Sequence, residues 1–390
     1  MRRRNFLWGI VAGFGLAVLL VFAVISMNIF HLGNGSKVLG LIKAKALEPV
    51  KVSQLIDGAM KGMVQELQDP YSVYLEPKDY QALETHMSGT YGGLGIYVGI
   101  PKETHRLTVM APIKGTPAAR AGIVAGDEIW EIDGKDVSSI DIDTAVSMMK
   151  GEEGTTVTLG IKRKNQEELW DVKLVRENIE IPSVEGRVLE GYPGIAYVSI
   201  SMFNDLTAQE LEETMKSLRQ EHEIKGLILD LRNNPGGSLM AAVETGNLFV
   251  PEGKPVVWLV DKYSTESFVS KGNLIDLPTV VLINKGSASA AEIVAGAIKD
   301  VNAGILVGET SFGKGIVQSV FELDDGAALK ITTAKYLTPN KNDIHKKGIV
   351  PDVEVLLPED TDPVAIYSGD PEQDMQLKKA LEVLQKELDT

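Results

Sequence analysis

Short apolar segments alternate with longer amphipathic ones between residues 195 and 300, and this alternation limits the fold more than any other feature. The short segments have the length and apolar composition of buried strands, and the longer ones repeat apolar residues at helical spacing. The predicted pairs of strand and helix are 195–201 with 208–220, 226–231 with 239–249, and 279–283 with 289–300. We therefore expect a largely parallel sheet covered by helices, in a multidomain α/β chain.

The composition of the 390 residues excludes several classes of function. The net charge of −15 argues against a nucleic-acid partner, because phosphates attract basic surfaces. The chain has no cysteine, which excludes disulfides, thiolate zinc sites and a cysteine nucleophile. Its five histidines are scattered, and none has the spacing of an HExxH motif. Neither a metal site nor a cofactor is expected.

The N-terminal residues predict a membrane anchor. Arg2, Arg3 and Arg4 precede an uncharged run from Asn5 to Ser36, which exceeds the roughly 20 apolar residues that span a bilayer. A cleaved signal peptide is the alternative, but its apolar region is usually about 7–15 residues long and ends at a small-residue site. Because arginines stay on the cytoplasmic side, we expect a single-pass membrane protein whose remaining chain lies outside the cytoplasm.

Changes in sequence pattern divide the chain into five predicted regions. These are a cytoplasmic N-terminus with a transmembrane anchor at 1–36, a helical region at 37–87, a β-rich module with two short helices at 88–177, the alternating α/β core at 178–370, and a C-terminal helix at 371–390.

Two of the predicted helices have an apolar side that needs a partner. The N-terminal stripe consists of Val52, Leu55, Ile56, Ala59, Met60, Met63 and Leu67. The C-terminal side consists of Leu377, Leu381, Leu384 and Leu388. Each could pack on the body of the protein or on a second copy of the chain, so a homodimer through these helices is one expectation.

The segment from Asn284 to Gln318 carries the strongest chemical signal. Ser289 follows a predicted strand and begins a helix, and with Glu292 it fits a capping box, which is a purely structural role. A serine at a helix N-terminus also lies beside unpaired backbone N–H groups, such as that of Ala290, which can stabilise an oxyanion. Capping and nucleophilic catalysis are both compatible with this position.

A serine nucleophile needs a base, and Lys314 is the candidate because no histidine is suitably placed. A lysine with an ordinary pKa of about 10.4 is a poor base at pH 7, so this role requires burial that disfavours the charged form. Gln318 could orient the amine if the backbone bends at Gly313 and Gly315. The alternatives are a solvated turn lysine and an ordinary strand glutamine.

A glycine-rich loop, Asn233–Gly237, directly follows the predicted strand 226–231. Paired glycines allow the backbone to approach a ligand closely, so the N–H of Gly237 could be a second oxyanion donor beside that of Ala290. The alternative is a plain turn between a strand and a helix.

The residues Gly308–Lys314 also match most of a nucleotide-binding P-loop. Two features argue against that interpretation. Gly315 stands where a P-loop has the serine or threonine that binds magnesium, and the residues that follow predict a strand instead of a helix.

In the β-rich module, the cluster Gly92–Ile96 precedes a strand and could bind a carboxylate through successive N–H groups. Together with the segments Thr116–Ile123 and Gly126–Gly134, it resembles a PDZ domain of the bacterial protease type. The resemblance implies that a free C-terminus binds at a loop that consists of Gly93, Leu94, Gly95 and Ile96.

The chain after residue 36 resembles the carboxyl-terminal processing peptidases, the tail-specific serine proteases of family S41. The blocks that carry the resemblance are Ser287–Ile293, Phe312–Gln318 and Leu231–Gly237, with further matches at Asp69–Ser72 and Lys347–Asp352. Two positions depart from the family pattern. Ala291 replaces a serine, and Lys150 stands where many relatives have arginine, which puts coupling through that residue in doubt.

This resemblance implies roles for individual residues. Ser289 is the implied nucleophile, Lys314 the base and Gln318 the residue that orients the lysine, while the N–H groups of Gly237 and Ala290 hold the oxyanion. It further implies a crotonase-like, ClpP-like core that hydrolyses the C-terminal regions of protein substrates without a cofactor. A binding protein with an inactive protease-like body and an acyl-CoA enzyme on the same core are the two rival hypotheses.

Overall fold

The structure is a computed structural model that describes residues 32–102, 104–164, 166, 168–272, 275–358 and 370–389. The predicted anchor at 1–36 lies outside these residues, apart from its last five positions. Within the described ranges, no helix is both long enough and apolar enough to cross a membrane. The chain forms two compact units, one made of the residues before Pro77 together with Val320–Ile331, and one made of the rest.

The first unit is a small helical one. Its elements are helices α1 (Leu32–Lys45) and α2 (Val52–Gln65) and strand β1 (Val73–Leu75), which pairs antiparallel with residues 328–330. Strand β1 was not anticipated by the sequence pattern, which predicted only helix here. Val64, Tyr74 and Ala327 form a small core. Most of the predicted apolar stripe of α2 is exposed, including Ile56, Met63 and the following Leu67.

The second unit begins with the β-rich module. Its elements are α3 (Pro77–Ser88), β2 (Thr90–Gly93), β3 (Ile96–Gly99), β4 (Thr108–Pro112), α4 (Pro117–Arg120), β5 (Glu128–Ile132), β6 (Lys135–Asp136), α5 (Ile142–Met149), β7 (Thr156–Lys162), β8 (Trp170–Val175) and β9 (Glu177–Glu180). Strands β3, β4, β5, β7 and β8 form one antiparallel sheet around a separate apolar core, and β2 pairs with β9 alone. The β-rich character and the two short helices predicted for this module are confirmed, the helices being α4 and α5.

The core of the second unit is a six-stranded sheet in the order β10-β11-β12-β15-β16-β19. The bounds are β10 (Val184–Val188), β11 (Ile195–Ile200), β12 (Gly226–Asp230), β15 (Thr279–Ile283), β16 (Ile305–Gly308) and β19 (Val353–Glu354). All neighbours except β10 and β11 are parallel, which confirms the predicted largely parallel sheet. Between the strands lie helices α6 (Thr207–Glu221), α7 (Leu239–Asn247) and α8 (Ala290–Asp300).

Successive residues of the central strands face opposite layers of this core, as the period of a strand requires. Leu227 and Leu229 pack in the layer that contains α6, α7 and α8. Ile228 packs in the other layer with the last helix, α9 (Met375–Leu388). The sheet is therefore buried on both faces, which explains its nearly continuous apolar strands.

The leucine side of α9 is already occupied within the chain. Leu377, Leu381 and Leu384 are buried against the sheet, and only Leu388 is exposed, at 37%. The expectation that these leucines form a dimer face is therefore wrong, because the chain's own sheet covers them.

An antiparallel sheet that sequence patterns did not predict completes the fold. Its strands are β13 (Pro255–Asp261), β14 (Thr265–Val269), β17 (Ile316–Glu322) and β18 (Ala328–Leu337). Residues 334–337 of β18 pair with β13. The segment that connects β16 with β17 carries Lys314, so this sheet positions the candidate base. The domain boundaries proposed from the sequence stay predictions.

Candidate active site

Ser289 lies at the turn that joins β15 to α8, and its backbone conformation is unusual. Its φ and ψ are 54° and −113°, whereas an ordinary N-cap residue has extended backbone. Non-glycine residues rarely adopt such dihedrals, and strain of this kind concentrates at functional sites. The side chain is only half-buried. A sharp, strained turn between a strand and a helix is also how hydrolases of another fold expose a nucleophilic serine.

The glycine loop predicted as an oxyanion element lies directly against this serine. A methyl group built on Gly236 would be 2.7 Å from the Cβ of Ser289 and 2.9 Å from the backbone nitrogen of Ala290. Only glycine therefore permits this approach, and φ of +98° at Gly236 also favours it. The structure thus brings together two segments that are more than 50 positions apart in the sequence.

The two asparagines of the loop explain how it is held there. The Oδ1 of Asn284 accepts the N–H of Asn233, and the Nδ2 of Asn284 donates to the Oδ1 of Asn233, both at 2.9 Å. The Oδ1 of Asn234 accepts the N–H of Gly236 at 2.8 Å, and the carbonyl of Asn234 accepts the N–H of Ala288 at 2.9 Å. Side chains and backbone together join the loop to the serine turn.

Two backbone N–H groups beside Ser289 remain available for a ligand. Within the part of the chain that the structure describes, neither Gly237 nor Ala290 donates its N–H to a protein acceptor. Ala290 is the first residue of α8, where an N–H has no partner inside the helix. The positive end of the helix dipole lies at the same place. Both donors predicted from the sequence are therefore placed where they could stabilise an oxyanion on a substrate.

Glu292 connects the serine to the lysine segment. It is fully buried, and its Oε2 accepts the N–H groups of Ser289 and Lys314 at 2.9 and 2.8 Å. Its Oε1 accepts the N–H of Gly313 at 2.7 Å and the hydroxyl of Ser311 at 2.5 Å. Four donors match the four lone-pair sites of a carboxylate. The glutamate of the predicted capping box is therefore present, but it also orders the loop that carries the candidate base.

Lys314 lies in an irregular segment just before β17 and is partly buried. The backbone bends at Gly313, where φ is +88°, so the bend that a contact between Lys314 and Gln318 would require is present. The Nε2 of Gln318 is buried, and it has no hydrogen-bond partner among the described residues. A buried amide without a partner is uncommon in native proteins and marks a position that a ligand or a moving side chain could satisfy.

Tyr336 on β18 touches both halves of the site. Its hydroxyl donates to the carbonyl of Ser289 at 3.0 Å, and its N–H donates to the carbonyl of Gly315 at 3.1 Å. Burial raises the pKa of this tyrosine well above its usual value, and the nearby charge of Glu292 adds to that shift. The phenol is thus held neutral beneath the serine turn.

The predicted peptide-binding loop forms one wall of a groove in the β-rich module. Gly93, Leu94, Gly95 and Ile96 line it together with Val146, Met149 and Lys150 at the end of α5. The carbonyls of Leu94 and Gly95 point inward, because they accept the N–H groups of Ala118 and Ile113. No acceptor in the described ranges receives the N–H of Leu94 or of Gly95. Lys150, the position of the departure from the family pattern, holds its amine 4.9 Å from the ring centre of Tyr91.

The fold and the site together define a serine hydrolase core with an attached PDZ module, and comparison with known proteins agrees. The model of peptidase family S41 matches residues 194–355, and that of the PDZ domain matches residues 108–163. The N-terminal domain of the activating protease CtpB matches residues 31–79. Among the described residues, no group of three His, Asp or Glu side chains could hold a metal ion.

This chain belongs to peptidase family S41, among the carboxyl-terminal processing serine proteases. It is 40% identical to the carboxyl-terminal-processing protease of Synechocystis over 304 residues, which are 77% of this chain and 71% of that protein. It is 36% identical to the carboxy-terminal processing protease CtpA of Bacillus subtilis, over 88% of this chain and 77% of the relative. The solved photosystem II D1 C-terminal processing protease is 30% identical, with a TM-score of 0.48, over 85% of this chain and 87% of that one.

Sequence patterns missed two residues of this site. Glu292 was interpreted only as part of a capping box, although its distance of three residues from Ser289 was visible. Tyr336 had no local signal, because it reaches the site only when β18 packs beside the serine turn. Asp300, at the end of α8, accepts the N–H of Asn340 at 2.8 Å and so connects this helix to the turn after β18.

Proposed function

We propose that this protein is a membrane-anchored, extracytoplasmic endopeptidase that binds free C-termini in its PDZ groove and cleaves C-terminal regions by a Ser-Lys mechanism. One observation carries the proposal. Ser289 occupies a strained turn beside two N–H groups that no described residue accepts, and Glu292 links the backbone of that serine to the backbone of Lys314.

In this mechanism the hydroxyl of Ser289 attacks the scissile carbonyl, and Lys314 takes its proton. The developing oxyanion accepts hydrogen bonds from the N–H groups of Gly237 and Ala290. Lys314 then passes the proton to the leaving amine, and water releases the acyl group from Ser289. The amide of Gln318 orients the lysine amine during both proton transfers.

Recognition of the substrate is assigned to the PDZ groove. The N–H groups of Leu94 and Gly95, which no described residue accepts, suit a carboxylate, and an extended peptide can add to the edge of the sheet at β3. The processing of C-terminal regions by the relatives, as their names state, supports this assignment. The crotonase-like, ClpP-like character of the core belongs to the same proposal, and the parallel sheet with covering helices is consistent with it.

Two parts of the proposal concern residues at the N-terminus. The anchor and the location of the protease outside the cytoplasm rest on the uncharged run from Asn5 to Ser36 and on the arginines before it. A homodimer rests on the exposed apolar stripe of α2, since exposed stripes of this kind commonly mark interaction surfaces.

The decisive experiment compares peptides that differ only at the C-terminus. Mass spectrometry of the products should show efficient cleavage of peptides with a free carboxylate and much slower cleavage of their amidated forms. Equal cleavage of both would reject terminus recognition while leaving the serine mechanism intact.

The mechanism itself is tested by substitution. Ser289→Ala and Lys314→Ala should each lower kcat by about 10⁴-fold or more, as expected when a unit of catalytic groups is broken. Both variants should still bind a free-terminus peptide. Lys335→Ala, at an exposed lysine of β18, is the matched control and should keep full activity. An active Ser289→Ala variant would exclude the Ser-Lys mechanism.

A further inference from the structure

The two chain passages between the PDZ module and the protease core meet at one place. The first passage runs from α3 through Gly89 into β2, which leads to the peptide-binding loop. The second leaves β9, the partner of β2, at Ile181. The N–H of Ile181 donates to the carbonyl of Gly89 at 2.7 Å, so the two passages are hydrogen-bonded to each other where they leave the module.

Asn204 is the core residue at this junction, and it is completely buried. Its Nδ2 donates to the carbonyl of Ile181 at 3.4 Å, and its Oδ1 accepts the N–H of Leu206 at 2.9 Å. A methyl group on Gly89 would lie 2.4 Å from that Nδ2, so the carboxamide packs directly on the glycine backbone. The next residue, Asp205, donates its N–H to the carbonyl of Met87 at 2.9 Å.

The residue before Asn204 shapes the oxyanion loop. Phe203 is fully buried and forms a parallel bridge with Gly237. Its N–H donates to the carbonyl of Gly236 at 2.9 Å, and its carbonyl accepts the N–H of Ser238 at 2.8 Å. The C=O of Gly236 and the N–H of Gly237 belong to one trans peptide group and point in opposite directions. Because that C=O points at the N–H of Phe203, the N–H of Gly237 points away from Phe203, and no described residue accepts it.

We propose that Asn204 is a positioning residue for the oxyanion hole. Its contacts fix the position of Phe203 relative to the two passages that leave the PDZ module. Through the bridge between Phe203 and Gly237, they also fix the Gly237 N–H. The proposal rests on the Ser-Lys mechanism and gives it a structural dependence. The oxyanion donor is correctly placed only while Gly89 and Ile181, where the two passages leave the PDZ module, remain in contact with Asn204.

The test uses two readouts on the whole protein. A small fluorophosphonate reports the reactivity of Ser289 without needing the PDZ groove, and fluorescence anisotropy reports the binding of a labelled free-terminus peptide. Asn204→Ser keeps an acceptor for the Leu206 N–H but is too short to reach Ile181. Gly89→Ala acts from the opposite side, because its methyl group displaces the carboxamide of Asn204.

Both variants should lower the rate constant of labelling by about 10- to 100-fold, somewhat less than the ~10²–10³-fold loss when an oxyanion donor is deleted. For the peptide substrate, kcat should fall while KM and the peptide affinity change by less than about twofold. Asn178→Ala, at an exposed asparagine of β9, is the matched control and should label at the wild-type rate.

A purely structural role for Asn204 predicts a different result. Partial unfolding would lower the fraction of protein that is labelled but not the rate constant of the folded fraction. Wild-type rate constants in Asn204→Ser and Gly89→Ala would therefore overturn the inference. If the wild-type protein itself fails to react with the fluorophosphonate, the proposed mechanism is wrong, and that outcome is distinct from failure of the role of Asn204.

Discussion

Ser289 carries a backbone conformation that costs free energy, and the surrounding structure maintains it. Ile293 donates its N–H to the carbonyl of Ser289, the Tyr336 hydroxyl donates to the same carbonyl, and Glu292 accepts the serine N–H. Three hydrogen bonds to one residue can hold dihedrals that an isolated residue would avoid. The same turn keeps the Cβ of Ser289 and the nitrogen of Ala290 against Gly236 of the glycine loop.

This strain predicts an unusual stability effect. A conformation of this kind costs about 1–3 kcal/mol in a residue with a Cβ, and glycine avoids that cost while losing about 0.5–1 kcal/mol of chain entropy. Both Ser289→Gly and Ser289→Ala should be inactive, but Ser289→Gly should be the more stable by about 1 kcal/mol. Urea denaturation measures this as a higher midpoint, and equal midpoints would show that the turn is unstrained.

Tyr336 makes the stability of the folded protein depend on pH in the alkaline range. Burial, with the nearby charge of Glu292, raises the pKa of this tyrosine above its ordinary 10.0. The contribution of Tyr336 to the free energy of unfolding is therefore complete below pH 10. It is lost as pH rises above that value, because the tyrosine of the unfolded chain releases its proton first. Tyr336→Phe should lose about 1 kcal/mol of stability at pH 8 from its hydrogen bond.

The deficit of this variant should shrink above pH 10, since phenylalanine does not titrate. Urea denaturation at pH 8 and at pH 10.5 compares the two proteins, with Tyr263→Phe, at an exposed position, as the control. A deficit that is the same at both pH values would contradict this account of Tyr336.

At the scale of elements, helix α9 completes the second layer of the core. Arg232, two residues after β12, is buried and bonds to Asp230 beside it and to Asp374 at the start of α9. Gln376 accepts from the same guanidinium at 3.2 Å. This ion-pair network joins the C-terminal helix to the chain just before the glycine loop of the candidate oxyanion hole, so the helix contributes to the core that supports the site.

The buried and exposed leucines of α9 provide a matched pair of substitutions. Leu381 is 2% exposed and Leu388 is 37% exposed. Leu381→Ala should lower the free energy of unfolding by about 2–5 kcal/mol, because it removes buried apolar area and leaves a cavity. Leu388→Ala should change it by less than about 0.5–1 kcal/mol. Thermal denaturation compares the two, and equal effects would show that α9 does not dock as described.

For the whole molecule, the exposed stripe of α2 is the feature that the described part of the chain does not explain. Ile56, Met60, Met63 and Leu67 are all exposed, although their spacing is that of a packing face. We propose that a second copy of the chain covers this stripe. Of the two dimer faces expected from the sequence, the leucine side of α9 is already covered by the chain's own sheet, which leaves the stripe on the N-terminal unit.

Sedimentation of the detergent-solubilised protein tests this homodimer. Wild-type protein should sediment as a dimer, and Met63→Asp should sediment as a monomer, because a charge on the stripe is costly to bury. Lys61→Asp is not a suitable control, because Lys61 is bonded to Glu76. Gln65→Glu, at an exposed position on the opposite side of the helix, adds a negative charge away from the stripe and should leave the dimer intact. A monomeric wild-type protein would refute the proposal.

The sequence by itself determined the class of fold and the candidate nucleophile and base, because these depend on short-range information. Periodicity predicted the strands and helices around the parallel sheet, and the compact blocks at Ser289 and Lys314 carried the family resemblance. Local patterns could not predict the antiparallel sheet, whose strands β13 and β18 are far apart in the chain.

Only the tertiary structure decided how the site is held together. The carboxylate of Glu292 meets Gly313 and Lys314 because α8 and the lysine segment pack side by side, and Asn204 meets Ile181 because both passages from the PDZ module cross the core there. These hydrogen bonds join residues about 20 or more positions apart. Their partners are selected by packing and burial, since a buried polar group must find whichever acceptor the fold brings to it.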